Sequence, residues 1–161
     1  MMKKSVLNKR TCNGFTMVEL LVAMVVLSVG LVGLASLQLT SLKLNHSSYL
    51  RSQATVFAYD MLDRMRANST GVVAGSYNNI VGIAADPACI SVGCTTTQMA
   101  QHDGREWNQS LSTSLPFGQG TVVGDGTDFT ITVMWDDERN GAAGPACSAT
   151  GLKCFTVTSR L

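Results

Sequence analysis

Proline is missing from the first 86 residues of this chain; the first is Pro87. A long N-terminal stretch is therefore free of the residue that breaks helices. Acid is missing before Gly14, and charge of either sign is missing from Leu20 to Leu37, where Ser28 and Ser36 are the polar side chains. At a rise of about 1.5 Å per residue, roughly 20 residues cross a hydrocarbon core of about 30 Å, so this run is long enough to span a membrane. Also missing are a glycine-rich phosphate loop, a G-x-S-x-G elbow and a Cys–His pair with a supporting acid. Those absences argue against an enzyme, and no cofactor is expected.

What is present is unevenly distributed. Net charge is +1, but Lys3, Lys4, Lys9 and Arg10 all precede Gly14. Without residues 1–14 the balance is 8 basic against 11 acidic, a net of −3. A mildly acidic remainder does not fit a nucleic-acid partner. The basic flank predicts that the N-terminus stays cytoplasmic and that the C-terminal part is exported. Glu19, at the mouth of the apolar run, breaks the pattern. A carboxylate there is costly in lipid and calls for a partner.

Cys12 lies in the basic leader, and Cys89, Cys94, Cys147 and Cys154 lie far downstream. An even number at short spacings in an exported domain reads as two disulfides. Four cysteines allow three connectivities. The two local loops, Cys89–Cys94 and Cys147–Cys154, are favoured because each closes a segment containing Gly, Ala or Ser. The spacings C-x4-C and C-x6-C are not those of zinc ribbons, and no metal site is expected. Two further groups invite a metal reading. His102 and Glu106, at i, i+4 beside Asp103, suggest no third ligand and read as an exposed helix face. Asp136-Asp137-Glu138, with Asp125 or Asp128, lacks the interspersed glycines of calcium loops and reads as capping a solvated strand end.

A secretory signal would put its small-residue cleavage site after the apolar core; here Gly14 precedes it. An uncleaved signal anchor would explain the span and the basic flank, but not Glu19 or the Gly14-Phe15 junction. The stretch Lys9-Arg10-Thr11-Cys12-Asn13-Gly14-Phe15-Thr16-Met17-Val18-Glu19-Leu20-Leu21-Val22-Ala23 resembles the class III signal of type IV pilins and type II secretion pseudopilins. Met17 stands where leucine is commoner, a volume-conserving difference. The resemblance implies cleavage between Gly14 and Phe15 by a prepilin peptidase, N-methylation of Phe15, and a docking role for Glu19. The new amine on Phe15 would lie one helical turn from Glu19. In a filament, the carboxylate of one subunit and the amine of another would form a pair from two groups each costly in lipid. Gly30 and Gly33 read equally well as close-approach positions and as glycines that membrane helices simply tolerate.

Beyond Leu37 the helical period continues through Leu39, Leu42, His46, Tyr49 and Leu50, then along a stripe of Leu50, Ala54, Phe57, Met61 and Met65. Asn68-Ser69-Thr70-Gly71 stops it. Residues 69–97 read as loop with one short strand near Tyr77 to Ile80. Met99, Trp107, Leu111 and Leu115 predict a second helix over 99–115, ended by Pro116. Gly120 to Val123 is a short strand and 124–127 a turn. Phe129, Ile131, Val133 and Trp135 alternate with Thr130, Thr132 and Met134, the period of a half-buried strand. Asp136 to Gly144 is a polar loop, and alternation resumes at Cys154-Phe155-Thr156-Val157-Thr158. The expected fold is α+β: a long N-terminal helix packed on a small antiparallel sheet domain. The expected organisation is a cleaved leader (1–14), a membrane and filament-core helix (15–37), its amphipathic continuation (38–68) and a periplasmic globular domain (69–161).

Tyr59-Asp60-Met61-Leu62-Asp63-Arg64-Met65-Arg66-Ala67-Asn68 and Phe129-Thr130-Ile131-Thr132-Val133-Met134-Trp135-Asp136-Asp137 resemble segments of the minor pilins called PilV. That resemblance implies a single-pass inner-membrane protein that enters or primes a type IV pilus fibre, with roles in adhesion and twitching motility. The implied partners are the prepilin peptidase, other minor pilins, the major pilin and the inner-membrane assembly platform. The alternatives are a minor pseudopilin of a type II secretion system and a pilus-tip module whose 69–97 loop binds a ligand.

Overall fold

Helix α1 runs from Met17 to Ala67, 51 residues without a break. The computed structural model that shows it describes residues 14–142, 144, 147 and 151–161. Cys12, the basic leader residues and part of the 136–144 loop lie outside the described residues. The chain divides into two compact units, residues 1–44 and 45–161, and α1 contributes to both. In the first unit every residue from Gly14 to Leu44 is exposed. The most apolar window of α1, with a mean hydropathy of 2.6, has none of its surface buried. By length and composition this helix can cross a membrane.

In the second unit α1 supplies a core stripe. Leu50, Ala54, Ala58, Met61, Leu62 and Met65 are buried. The expected stripe is corrected at one position: Phe57 is only partly buried, and Ala58 and Leu62 take the inner face. Steps of four and three residues from Ala54 lead to Ala58, Met61 and Met65, which is how a 3.6-residue period holds one face. Phe57 sits at the edge, where its carbonyl accepts a hydrogen bond from Trp107 Nε1 at 2.9 Å.

Asn68 ends α1 and also starts something. Its side chain accepts from Gly71 N at 3.3 Å and caps the short helix α2, Ser69–Val73. The stretch expected as loop with one short strand near Tyr77 to Ile80 holds that strand as β1 (Asn79–Val81), and with it two short helices, α2 and α3 (Cys89–Val92). Helix α4 spans Thr96–Ser114, three residues earlier than the apolar spacing indicates. Thr95 and Gln98 form a reciprocal capping box there, with Thr95 N donating to Gln98 Oε1 at 3.0 Å. The T-x-x-Q signature was available in the sequence. Strands β2 (Gln119–Gly124), β3 (Asp128–Trp135) and β4 (Lys153–Arg160) follow.

The sheet is antiparallel in the order β1-β2-β3-β4. Ile131 pairs with Val122 on one side and Val157 on the other. One face carries Val122, Phe129, Ile131 and Val133 into the core with Trp107, Leu111, Tyr77 and the α1 stripe. Trp107 is fully buried, and a Cβ added at Gly120 would collide with its ring. The absent side chain at Gly120 is thus what lets α4 lie close on β2. Asn108 reinforces the contact, accepting from Gly120 N at 2.8 Å. The half-buried reading of β3 fails at its end, where Met134, Trp135 and Asp136 are all buried. Met134 turns to a second small cluster with Ala142 and Leu152, against which Cys147 and Cys154 pack. In the structure Cys89 is bonded to Cys94 and Cys147 to Cys154.

Trp107 both fills the core and ties α4 to α1. Trp107→Ala is expected to cost about 3–5 kcal/mol. Denaturant unfolding of the full chain in detergent should show a lower midpoint for this domain, and an unchanged midpoint would contradict the core assignment.

Candidate functional site

The N-terminal site begins at Gly14, Phe15 and Thr16, which precede the first helical residue. Gly14 has open space around it, and Phe15 is 85% exposed. Thr16 caps α1: its Oγ1 accepts from Glu19 N at 3.3 Å and its carbonyl from Leu20 N at 3.2 Å. Thr16-x-x-Glu19 has the spacing of a capping box, and an acid in the first turn also suits the positive end of a helix. Glu19 is exposed, and no ion pair among the described residues involves it. The structure thus puts Phe15 just ahead of α1 and Glu19 in its first turn, at the start of a stretch that is uncovered as far as Leu44. In the same segment Ser28 Oγ donates to the carbonyls of Met24 and Val25, both at 2.9 Å, which satisfies the hydroxyl within the helix. Nothing lies within 4 Å of a Cβ added at Gly30 or Gly33.

Residues 59–68 form a junction. Arg64 Nε donates to Asp60 at 3.0 Å, and its Nη1 reaches Glu106 at 3.2 Å and Asp103 at 3.5 Å on α4. Burial pulls the Arg64 pKa down, but the hydrogen bond and charge of Asp60, with Glu106 and Asp103, raise it overall, so it remains a cation. Tyr77, fully buried, donates its hydroxyl to Asp103. Burial, then that bond, hold the Tyr77 phenol well above its ordinary value. Asn68 Nδ2 donates to Tyr77 Oη at 3.1 Å and to the Thr96 carbonyl at 2.8 Å. One run of α1 therefore fastens α2, α4 and the approach to β1. Sequence periodicity flagged Met61 and Met65 but not this network, because two of its three acids, Asp103 and Glu106, lie some 40 positions away.

Two family models match the chain once this geometry is in hand. One, described as the prokaryotic N-terminal methylation motif, matches residues 9–35. The other, described as Type IV pilin Tt1218, matches residues 36–104. They adjoin, and together they span more than half of the chain. The chain is a type IV pilin. No curated protein and no solved structure matches it. The methylation motif implies processing by a prepilin peptidase and assembly of the pilin with other pilins. The apolar N-terminal helix and the motif point to membrane anchoring and to the pilus. Pilins are structural proteins rather than enzymes.

The two metal readings fare differently from their expected surroundings. Among the described residues no group of three His, Cys, Asp or Glu side chains is placed to hold a metal. His102 is not on an exposed face: its side chain is only 16% exposed, with Nε2 3.3 Å from Glu106 Oε1. Its Nδ1 is buried and has no hydrogen-bond partner among the described residues. Asp125 and Asp128 stand at the opposite end of β3 from Asp136. Asp125 accepts from Thr127 N and Asp128 N, and Asp128 is held by Arg160 in two bonds of 2.9 Å. Asp136 is fully buried rather than solvated. Its Oδ2 accepts from Gly141 N at 2.8 Å and Ala142 N at 3.0 Å, which folds the following loop back on the strand end.

Burial alone would raise the Asp136 pKa, but the backbone donors of Gly141, Ala142, Asn140 and Arg139 outweigh it and lower the value. A carboxylate depressed on folding adds stability above its unfolded pKa, about 4, and loses it as pH falls through the folded value. Asp136→Asn is therefore expected to lower the thermal midpoint at pH 7. It should also flatten the loss of stability below about pH 4. Identical acid limbs for the two proteins would refute that role.

Proposed function

We propose that this pilin is a minor pilin of the PilV type, working in a type IV pilus system. The observation that carries the reading is the uncovered helix from Met17 to Leu44, with Phe15 just ahead of it and Glu19 in its first turn. An apolar surface of that length has two suitable environments, a bilayer and a bundle of like helices. In the proposed sequence of events the prepilin peptidase cuts between Gly14 and Phe15 on the cytoplasmic side and Phe15 is N-methylated. The chain then waits as a single-pass inner-membrane protein with its globular domain in the periplasm. Extraction into the fibre replaces lipid by neighbouring helices. Glu19 meets the Phe15 amine of an adjoining subunit and sets the axial register. The resemblance of Tyr59–Asn68 and Phe129–Asp137 to PilV supports the minor-pilin assignment, with other minor pilins, the major pilin and the assembly platform as partners.

A deletion strain scored together for surface pili, twitching motility and secretion tests the assignment. Loss of pili or motility with secretion intact is the expected result. Loss of secretion alone would move the chain to the pseudopilins. Within the reading, Glu19→Ala is expected to reduce incorporation into sheared pili while the globular domain stays folded. Leaving one partner of a buried pair alone costs on the order of 3–5 kcal/mol, enough to deplete the variant severely. Wild-type amounts of Glu19→Ala in sheared fibres, measured by immunoblot, would remove Glu19 from the docking role.

A further inference from the structure

The two edges of the sheet are guarded differently. Strand β1 is three residues long, Asn79–Val81, and so short an edge offers little to pair with. Strand β4 is eight residues long, and all eight, Lys153–Arg160, run in unbroken register with β3. It holds no proline and no bulge, and no charge from Cys154 to Ser159. Among the described residues no strand pairs with its far side. Natural edges of this length are ordinarily blunted by a bulge, a proline or a central charge.

The ladder fixes which main-chain groups are open. In an antiparallel pair, alternate residues exchange both of their bonds with the neighbouring strand. Leu161 N donates to the Thr127 carbonyl at 3.1 Å, one step beyond β4. With the register, that makes Phe155, Val157 and Ser159 the residues bonded to β3. Cys154, Thr156, Thr158 and Arg160 therefore turn their N–H and C=O groups away from the sheet. Thr156 and Thr158 are exposed, with Thr156 Oγ1 3.4 Å from Thr132 Oγ1 on the outer face. Phe155 and Val157 lie on the inner face and are only partly buried against the core. The core thus runs out to this edge and is not closed there.

We infer that β4 pairs with β4 of a second copy of this chain, antiparallel, about a two-fold axis at Thr156. The edge is complementary to itself in this register. Its open groups belong to even-numbered residues, so they meet only where an even-numbered residue faces another. Centred on Thr156, Phe155 of each copy faces Val157 of the other. These are non-hydrogen-bonded positions, where side chains come closest, and an aromatic opposite a β-branched residue is a favourable pair. Moving the axis to Val157 would set Phe155 against Ser159 and lose both pairs. Lys153 faces Ser159 and Arg160 faces Leu152, so no like charges stand opposite each other. Arg160 is already held by Asp128. The two sheets become one, and the partly buried Phe155 and Val157 are covered. Such a contact closes on itself and does not repeat as the contacts of a helical fibre do, so the pair is a state outside the fibre.

The full chain in detergent tests this by sedimentation velocity, amide exchange and cross-linking. Wild type should sediment as a dimer. Thr156→Lys sets like charges directly opposite each other at the axis and should sediment as a monomer. Its Thr158 amide should exchange on the order of tenfold faster than in wild type. Thr156 is exposed and its main chain takes no part in the β3 ladder, so the fold is spared. Unchanged near-ultraviolet circular dichroism from Trp107 and Trp135 checks this. Residues facing each other in a hydrogen-bonded pair are about 5.5 Å apart at Cα, within reach of a disulfide. Thr156→Cys should therefore link two chains through position 156 on mild oxidation. Thr158→Cys, also exposed, would stand roughly 13 Å from its counterpart and should not link. Both cysteine variants carry Cys12→Ser, which removes the thiol outside the two native bridges. A monomeric wild type, equal linking at the two positions, or a dimer that survives Thr156→Lys overturns the pairing. The last result would assign self-association to another surface, and each leaves the pilin assignment standing.

Discussion

A single uninterrupted helix that must satisfy two different surroundings is the constraint on which this structure depends. From Leu20 to Leu37 α1 offers apolar side chains on every side and buries none of them. From Leu50 to Met65 the same helix is amphipathic and buries one narrow stripe. The change needs no hinge, because each stretch is set by which side chains follow the 3.6-residue period. An all-round apolar stretch asks for lipid or for other helices. A striped one asks for a domain to lie on its face.

The domain that answers that request is fastened by a small number of directed contacts as well as by burial. Trp107 fills the space beneath α1 and donates to the Phe57 carbonyl. Arg64 crosses to the acids of α4, and Asn68 and Tyr77 close the corner where α1 ends. The Arg64 and Asn68 contacts fall within Tyr59–Asn68, which the second family match also covers. They give that segment a physical reason to be distinctive. It is the place where a filament helix becomes part of a folded head, and where several polar groups must be satisfied as they are buried.

Several elements are legible in local pattern: the apolar run of α1, the α4 and β3 periods and the 124–127 turn. Other features escape local pattern. Apolar spacing starts α4 at Met99, whereas the Thr95–Gln98 capping box sets the start at Thr96. Asn68 both stops α1 and caps the next helix, as asparagine can. Charge is normally exposed, yet His102 is largely buried beside Glu106 and Asp136 is fully buried, its carboxylate held by the loop that follows it.

The sequence by itself determined the division of α1 into an apolar run and an amphipathic run, the acid at Glu19 in the first turn of α1, and the strand-and-turn plan of the C-terminal third. These rest on periodicity, on missing charge and on the scarcity of proline, all local properties. Only the tertiary structure decided that Phe57 yields its place to Ala58, that Asp136 is buried with its charge held by backbone donors, and that Arg139 stands beside His46. Which face α1 turns inward, how a loop folds back on a strand end and which residues some 90 positions apart will meet all depend on packing that no local period records.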